Sequence, residues 1–145
     1  MKITPVDEKL SVAHQPSEAE IAALGANGVA LLINNRPDGE EAGQPGTQAE
    51  AAAAKAAGLA YLHIPVTGPS LSRADVDGFR EAVLAAPGPV VAHCRSGTRS
   101  LTLWAIGEVL AGNLGREEVL DYGARLGIDL SGAARWLDAH AGEPA

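Results

Sequence analysis

The sequence predicts an α/β domain: a central, mostly parallel sheet of four or five strands flanked by helices. Two observations carry this. Short apolar runs rich in β-branched residues alternate with polar turns and capped helical stretches, the order that lays helices on a parallel sheet. Aromatic residues make up only 3% of the chain against 28 alanines, which suits helices packed closely on small side chains better than an all-β core. At 145 residues, 46% of them apolar, the chain is long enough for one hydrophobic core and too short for two, so a single domain over residues 1–145 is expected.

Residues 2–6 and 10–13 read as short edge strands, since the polar residues and Pro5 within them suit a sheet border. Ser17 with Glu20 forms a capping-box pattern that opens a short helix to about Leu24, and Gly25 and Gly28 end it. The buried run Val29-Ala30-Leu31-Leu32-Ile33 is a central strand, followed by the polar loop 34–41. Thr47 with Glu50 then begins an alanine-rich helix that Gly58 stops. Residues 59–66 form the next strand, and Ser72 with Asp75 starts a helix to about Ala86, broken by Pro87-Gly88. Pro89-Val90-Val91-Ala92-His93 is the last central strand, and three further helices are expected over 100–111, 116–126 and 131–140. Trp104 and Trp136 fall at helical spacing with leucines and read as core.

Composition excludes several functions. With 11 Lys plus Arg against 18 Asp plus Glu and a net charge of -7, the chain lacks the basic surface that nucleic acid or an acidic membrane would need. No stretch approaches the ~20 apolar residues that span a bilayer. The first residues hold no apolar signal region, so the expected compartment is the cytoplasm. One cysteine, Cys94, and four histidines (His14, His63, His93, His140) without ligand spacing point to no metal and no cofactor.

The chemistry converges on Val90-Val91-Ala92-His93-Cys94-Arg95-Ser96-Gly97-Thr98-Arg99-Ser100-Leu101. A buried strand ends in a cysteine, and a short polar loop leads into a helix. At the C-terminal end of a parallel strand such a loop faces the crevice where α/β domains bind ligands, and the following helix aims its free amides and positive dipole end there. This favours an anion, and with Arg95 and Arg99 nearby it favours a nucleophilic thiolate at Cys94. Gly97 allows the backbone to curl its amides inward, Ser96 and Thr98 lie among those amides, and Ser100 is placed to cap the helix or to donate to the sulfur. His93 reads either as a core histidine or as a hydrogen-bonding support for the loop, and His63 as pocket wall or core; His14 and His140 read as surface.

Two superfamilies share features with this loop. Protein tyrosine phosphatases, including the dual-specificity group, carry His-Cys and then Arg followed by Ser or Thr, with one residue more between Cys and Arg than the four present here. Rhodanese-type sulfurtransferases carry Cys-Arg-x-Gly-x-Arg, which Cys94-Arg95-Ser96-Gly97-Thr98-Arg99 matches throughout. The order of elements resembles a dual-specificity phosphatase. More narrowly, Ile33-Asn34-Asn35-Arg36-Pro37-Asp38-Gly39-Glu40-Glu41, His63-Ile64-Pro65-Val66 and residues 93–100 are together similar to the beta-lactamase-hydrolase-like, phosphatase-like domain family, over residues 3–130. The resemblance implies a protein-tyrosine-phosphatase-like fold. It leaves the reaction open, because that family is labelled with both hydrolase and sulfurtransferase activity.

A phosphatase would attack phosphorus with Cys94, clamp the phosphoryl oxygens with loop amides and Arg99, and need a carboxylic acid for the leaving group. Dual-specificity phosphatases place that acid just after the strand equivalent to residues 63–66, where this chain reads Thr67-Gly68-Pro69-Ser70. Asp38 is the substitute candidate, with Arg36 beside it as an anion-binding residue; the two could equally form a salt-bridged turn around Pro37. Asp75 and Asp77 read as capping and solvent-facing. A sulfurtransferase needs only the thiolate, stabilising donors and an acceptor, and the tight loop favours a single sulfur on Cys94 over a tetrahedral dianion. The residues therefore favour a Cys94 persulfide sulfurtransferase, with a phosphatase-like hydrolase second and a non-catalytic anion-binding domain third. The expected substrate is a small anion (persulfide, thiosulfate or phosphate ester), and a sulfide- or persulfide-metabolising enzyme is the expected partner.

Overall fold

The sheet has the strand order β1-β2-β5-β3-β4 in the computed structural model, which describes residues 1–141. Residues 142–145, included in the single-domain expectation, lie outside the described residues. The strands are β1 (Ile3–Pro5), β2 (Leu10–Ala13), β3 (Leu31–Asn34), β4 (Ala60–His63) and β5 (Val90–His93). β1 pairs antiparallel with β2; every other pairing is parallel, and Asn34 and Ala13 both stand opposite His93. The C-terminal ends of β2, β3 and β5 therefore meet at one edge of the sheet. β2 is not an edge strand: it lies between β1 and β5, and its run of Leu10, Val12 and Ala13 is buried. Its single polar residue, Ser11, misled the sequence reading, because strand order is set by long-range pairing.

Side-chain parity divides the core. Leu10, Val12, Leu31, Ile33, Val90 and Ala92 point to one face, while Ala13, Leu32 and Val91 point to the other. Strands buried on both faces read as continuous apolar runs for this reason. The first face is covered by α3 (Arg73–Ala85), α4 (Thr98–Leu110), α5 (Val119–Arg125) and α6 (Ser131–Ala139), whose Val76, Phe79, Val83, Leu101, Leu103, Ile106 and Leu137 join its cluster. Phe79 is fully buried, and its truncation to alanine would cost about 3–5 kcal/mol. The second face is covered by α1 (Glu18–Ala26) and α2 (Gly46–Ala57). These two pack closely, since a Cβ on Gly25 would lie 2.4 Å from the Ala57 carbonyl oxygen.

Ser17 and Ser72 form their capping boxes with Glu20 and Asp75. The expected box at Thr47 and Glu50 does not form. α2 has no cap from its own side chains; instead Asp38 accepts a 2.8 Å hydrogen bond from the Thr47 amide, and Glu50 turns inward. Residues 116–126 fold as a 3-10 turn followed by α5, and α4 begins at Thr98 behind Gly97. Trp104 is buried under the Arg80 guanidinium, and Trp136 donates its indole N–H to the Leu71 carbonyl. His140 stacks on the Trp136 ring. Among the described residues no helix is long and apolar enough to cross a membrane.

Candidate active site

Cys94 follows β5 directly and is 1% exposed. The chain then turns through Gly97, whose φ of +90° is open to glycine and strained for other residues, and whose N–H donates to Cys94 Sγ at 3.0 Å. α4 begins there without a side-chain cap on its first amides. Parity places His93, next to Cys94, on the α2 face of the sheet. Its ring is fully buried between two oxygens: Nδ1 lies 3.2 Å from the Cys94 carbonyl, and Nε2 shares a 2.6 Å hydrogen bond with Glu50 Oε1. A carbonyl only accepts, so Nδ1 carries a proton and donates it. His93 thus holds the peptide of Cys94.

Arg99, on the first turn of α4, reaches across to the loop that follows β3. Nη1 donates to Glu40 Oε2 at 2.6 Å and to the Val66 carbonyl at 3.1 Å, and Nη2 donates to Glu40 Oε1 at 2.9 Å. Those bonds use the end of the guanidinium. The Cys94 side chain is a further hydrogen-bond partner of the guanidinium, so Arg99 is anchored at its end by Glu40 and Val66 and lies against the sulfur. Glu40 holds Arg99 firmly charged, and the sulfur of Cys94 acts in the same direction. In turn the guanidiniums of Arg99 and then Arg36 pull the Glu40 carboxyl down to about 2.

Arg36 is 1% exposed and each of its three nitrogens donates: Nε to Glu40 at 3.0 Å, Nη1 to Gln15 Oε1 at 3.0 Å, and Nη2 to Glu41 at 3.3 Å. Its backbone carbonyl meets His63 Nε2 at 2.8 Å, so His63 supports the loop. Glu41 also pairs with Arg95, whose side chain is 68% exposed. Gln15 completes the set, donating from Nε2 to Glu50 Oε2 at 2.8 Å. Burial pushes Tyr61 up to about 12, and its phenol donates to Glu50.

The structure brings Cys94, Gly97, Arg99 and His93 together as the sequence suggests, with Arg36 one contact behind Arg99 through Glu40. Arg36 pairs with Glu40 and Glu41 and not with Asp38, so the salt-bridged turn of Arg36 with Asp38 does not form. One carboxylate oxygen of Asp38, Oδ1, is occupied at the start of α2. Ser100 neither caps α4 nor donates to the sulfur; its hydroxyl donates to Asn35 Oδ1 at 2.8 Å, and Asn35 in turn donates to the Ile64 carbonyl. The hydroxyls of Ser96 and Thr98 face each other at 3.4 Å. Sequence reasoning missed Gln15, Glu40 and Glu50. Glu40 stood inside the quoted motif, but Gln15 and Glu50 are far along the chain, and the alanines around Glu50 give α2 no apolar stripe to show which face is inward. Among the described residues no group of three or more His, Cys, Asp or Glu side chains is gathered for a metal ion.

Residues 2–111 match the family described as beta-lactamase hydrolase-like protein, phosphatase-like domain. The chain belongs to this family. A beta-lactamase hydrolase-like protein of Agrobacterium fabrum is 47% identical over 95% of the chain and 32% of its own length. The chain spans about a third of the length of the curated relatives it matches. A crystal structure of a candidate phosphatase from Neisseria meningitidis is 31% identical with a TM-score of 0.83, covering 96% of this chain and 98% of that one. The structure of Tk-PTP in its active form shares the fold at 18% identity, with a TM-score of 0.72 over 99% of this chain and 97% of that one. The fold is phosphatase-like.

Proposed function

We propose that this domain is a phosphatase-like hydrolase that transfers a phosphoryl group to Cys94 and then to water. The observation that carries the reading is the anchoring of Arg99 beside Cys94. Glu40 and Val66 fix the end of the guanidinium, the Cys94 side chain lies against it, and in the reaction its Nε–H and Nη2–H edge is the fork that would take two oxygens of a phosphoryl group bound at the sulfur. In the first step the Cys94 thiolate forms an S–P bond while the bond from phosphorus to the leaving oxygen breaks and the leaving group keeps the electron pair. Water then attacks phosphorus, releasing inorganic phosphate and restoring the thiolate.

The leaving group departs largely unprotonated. Residues 64–71 hold no carboxylate, and Glu40, held at about 2, is ionised at neutral pH. Asp38 is turned to the start of α2, where its Oδ1 accepts from the Thr47 amide. The substrates are therefore phosphate esters whose leaving groups are stable as oxyanions, aryl phosphates above alkyl ones. Rapid mixing with 4-nitrophenyl phosphate should give a burst of nitrophenolate and a phosphorylated Cys94 detectable by mass, with alkyl phosphates far slower. Absence of both burst and adduct overturns the proposal. An acid limb of the pH–rate profile that flattens in Asp38→Asn would assign Asp38 as the acid and overturn unassisted departure.

Sulfur transfer is the second reading, favoured by the four-residue spacing between Cys94 and Arg99 and by the same lack of an acid at residues 67–70. The thiolate would attack the outer sulfur of thiosulfate, the S–S bond would break, and sulfite would leave with the electron pair. A sulfide- or persulfide-metabolising enzyme would then supply or consume the sulfur. Intact mass after incubation with thiosulfate tests it: one added sulfur on Cys94, without phosphate release from aryl esters, would put this reading first.

A further inference from the structure

A ring of hydrogen bonds starts at Arg99 and returns to Cys94. It runs from Arg99 to Glu40, from Glu40 to Arg36, from Arg36 Nη1 to Gln15 Oε1, and from Gln15 Nε2 to Glu50 Oε2. From Glu50 Oε1 it passes to His93 Nε2, and from His93 Nδ1 to the Cys94 carbonyl. Gln15 joins the half that holds the nucleophile to the half that holds the clamp. Its amide has one possible orientation: a guanidinium only donates, so Oε1 faces Arg36, and both Nε2 hydrogens go to acceptors, Glu50 at 2.8 Å and the Pro16 carbonyl at 3.0 Å. The Gln15 backbone N–H also donates to the Arg95 carbonyl at 3.3 Å, tying β2 to the loop.

Glu50 and Arg36 are each 1% exposed, and His93 is fully buried. Buried charged groups of this kind cost free energy against apolar side chains of the same volume unless every hydrogen bond is made. Apolar residues in place of the whole network would avoid that cost, whereas removing Gln15 or Glu50 alone leaves Arg36 or His93 buried without a partner. We propose that Gln15 and Glu50 are positioning residues that couple the orientation of the Cys94 peptide to that of the Arg99 fork, so that neither half of the site is set without the other. This rests on the reading of Arg99 as an anion clamp. Neither residue touches the reacting atoms; each acts through His93 or Arg36.

The test is a double-mutant cycle on the full chain with two readouts: the pH profile of Cys94 alkylation by iodoacetamide, and the Kd for inorganic phosphate. Gln15→Met keeps the volume and removes both polar atoms, and Glu50→Ala opens the ring one bond further on. Each should move the alkylation profile to higher pH and weaken phosphate binding about tenfold, and the double variant should lose little more than either alone. Glu50→Gln, which can still accept from Gln15 while its NH2 group donates to His93 Nε2, should recover most of the loss. Additive effects, or Gln15→Met within twofold of the wild type in both readouts, overturn the coupling. If Gln15→Met fails to fold, Gln15→Asn decides: it must show a partial loss in both readouts together. A protein that alkylates and binds phosphate as described but hydrolyses no phosphate ester sinks the proposed function and leaves the ring intact.

Discussion

Helices α1 and α3 begin at serines that close their first amides with a capping box, whereas α4, which begins at the cysteine loop, starts at Gly97 with no side-chain cap. A cap is worth about 0.5–2 kcal/mol, so α4 gives up local stability that the other two keep. It is compensated by depth. Every residue from Ser100 to Gly107 is buried, against only Ile21 and Leu24 in α1 and Val76, Phe79 and Val83 in α3. Tertiary packing holds the site helix, and that frees its end for Cys94. In α1 and α3 the end of the helix serves the helix; in α4 it serves the site.

The contrast breaks most sharply at the nucleophile. Cys94→Ser keeps the volume and should cut steady-state hydrolysis of an aryl phosphate by at least about a thousandfold, since the alkoxide is not available to attack. Retained turnover would place the chemistry elsewhere. Arg99→Lys keeps the charge but loses the planar fork and the two-point contact with Glu40, and kcat/KM should fall about a hundredfold.

Gly97→Ala sharpens the comparison at the helix start itself. Its Cβ would meet only ordinary contacts, with the nearest atom, the Ala13 carbonyl oxygen, at 3.7 Å. The cost therefore lies in the left-handed backbone, about 1–2 kcal/mol, and should appear as a lower Tm together with a lower rate as the amide leaves Sγ. Glu40→Gln has a pH signature. The folded Glu40 carboxyl is depressed from 4.5 to about 2 by Arg99 and Arg36, so the stability it contributes is fully present above pH 4.5 and is lost as pH falls through about 2. The gap in unfolding free energy between wild type and Glu40→Gln should close across that window; a gap that persists at the acid end assigns it to packing. Smallest is Ser72→Ala: about 1 kcal/mol of stability in a denaturant titration, with turnover unchanged.

Much of this was legible along the chain. The apolar runs at 29–33 and 89–93, the Ser17 and Ser72 boxes, and the loop from His93 to Arg99 are local signals, because propensity, capping and glycine conformation act over a few residues. Thr47 and Glu50 had the same spacing as the working boxes and still failed, since Asp38 caps that helix from the preceding loop and Glu50 finds His93 beneath it. Leu10–Ala13 looked like a border because of one serine, yet pairing with β5 made it interior.

The sequence by itself determined the α/β class and marked out the candidate site, because a cysteine, a glycine and an arginine within six residues at the end of a buried strand act on one another through the local backbone. Only the tertiary structure decided how that arginine and that cysteine are held. Glu40, Gln15 and Glu50 come from three other segments, and the parallel alignment of β2, β3 and β5 brings them to one edge of the sheet. Hydrogen bonds reach about 3 Å and carry no trace of sequence distance, so partners assembled across a sheet leave no spacing to read.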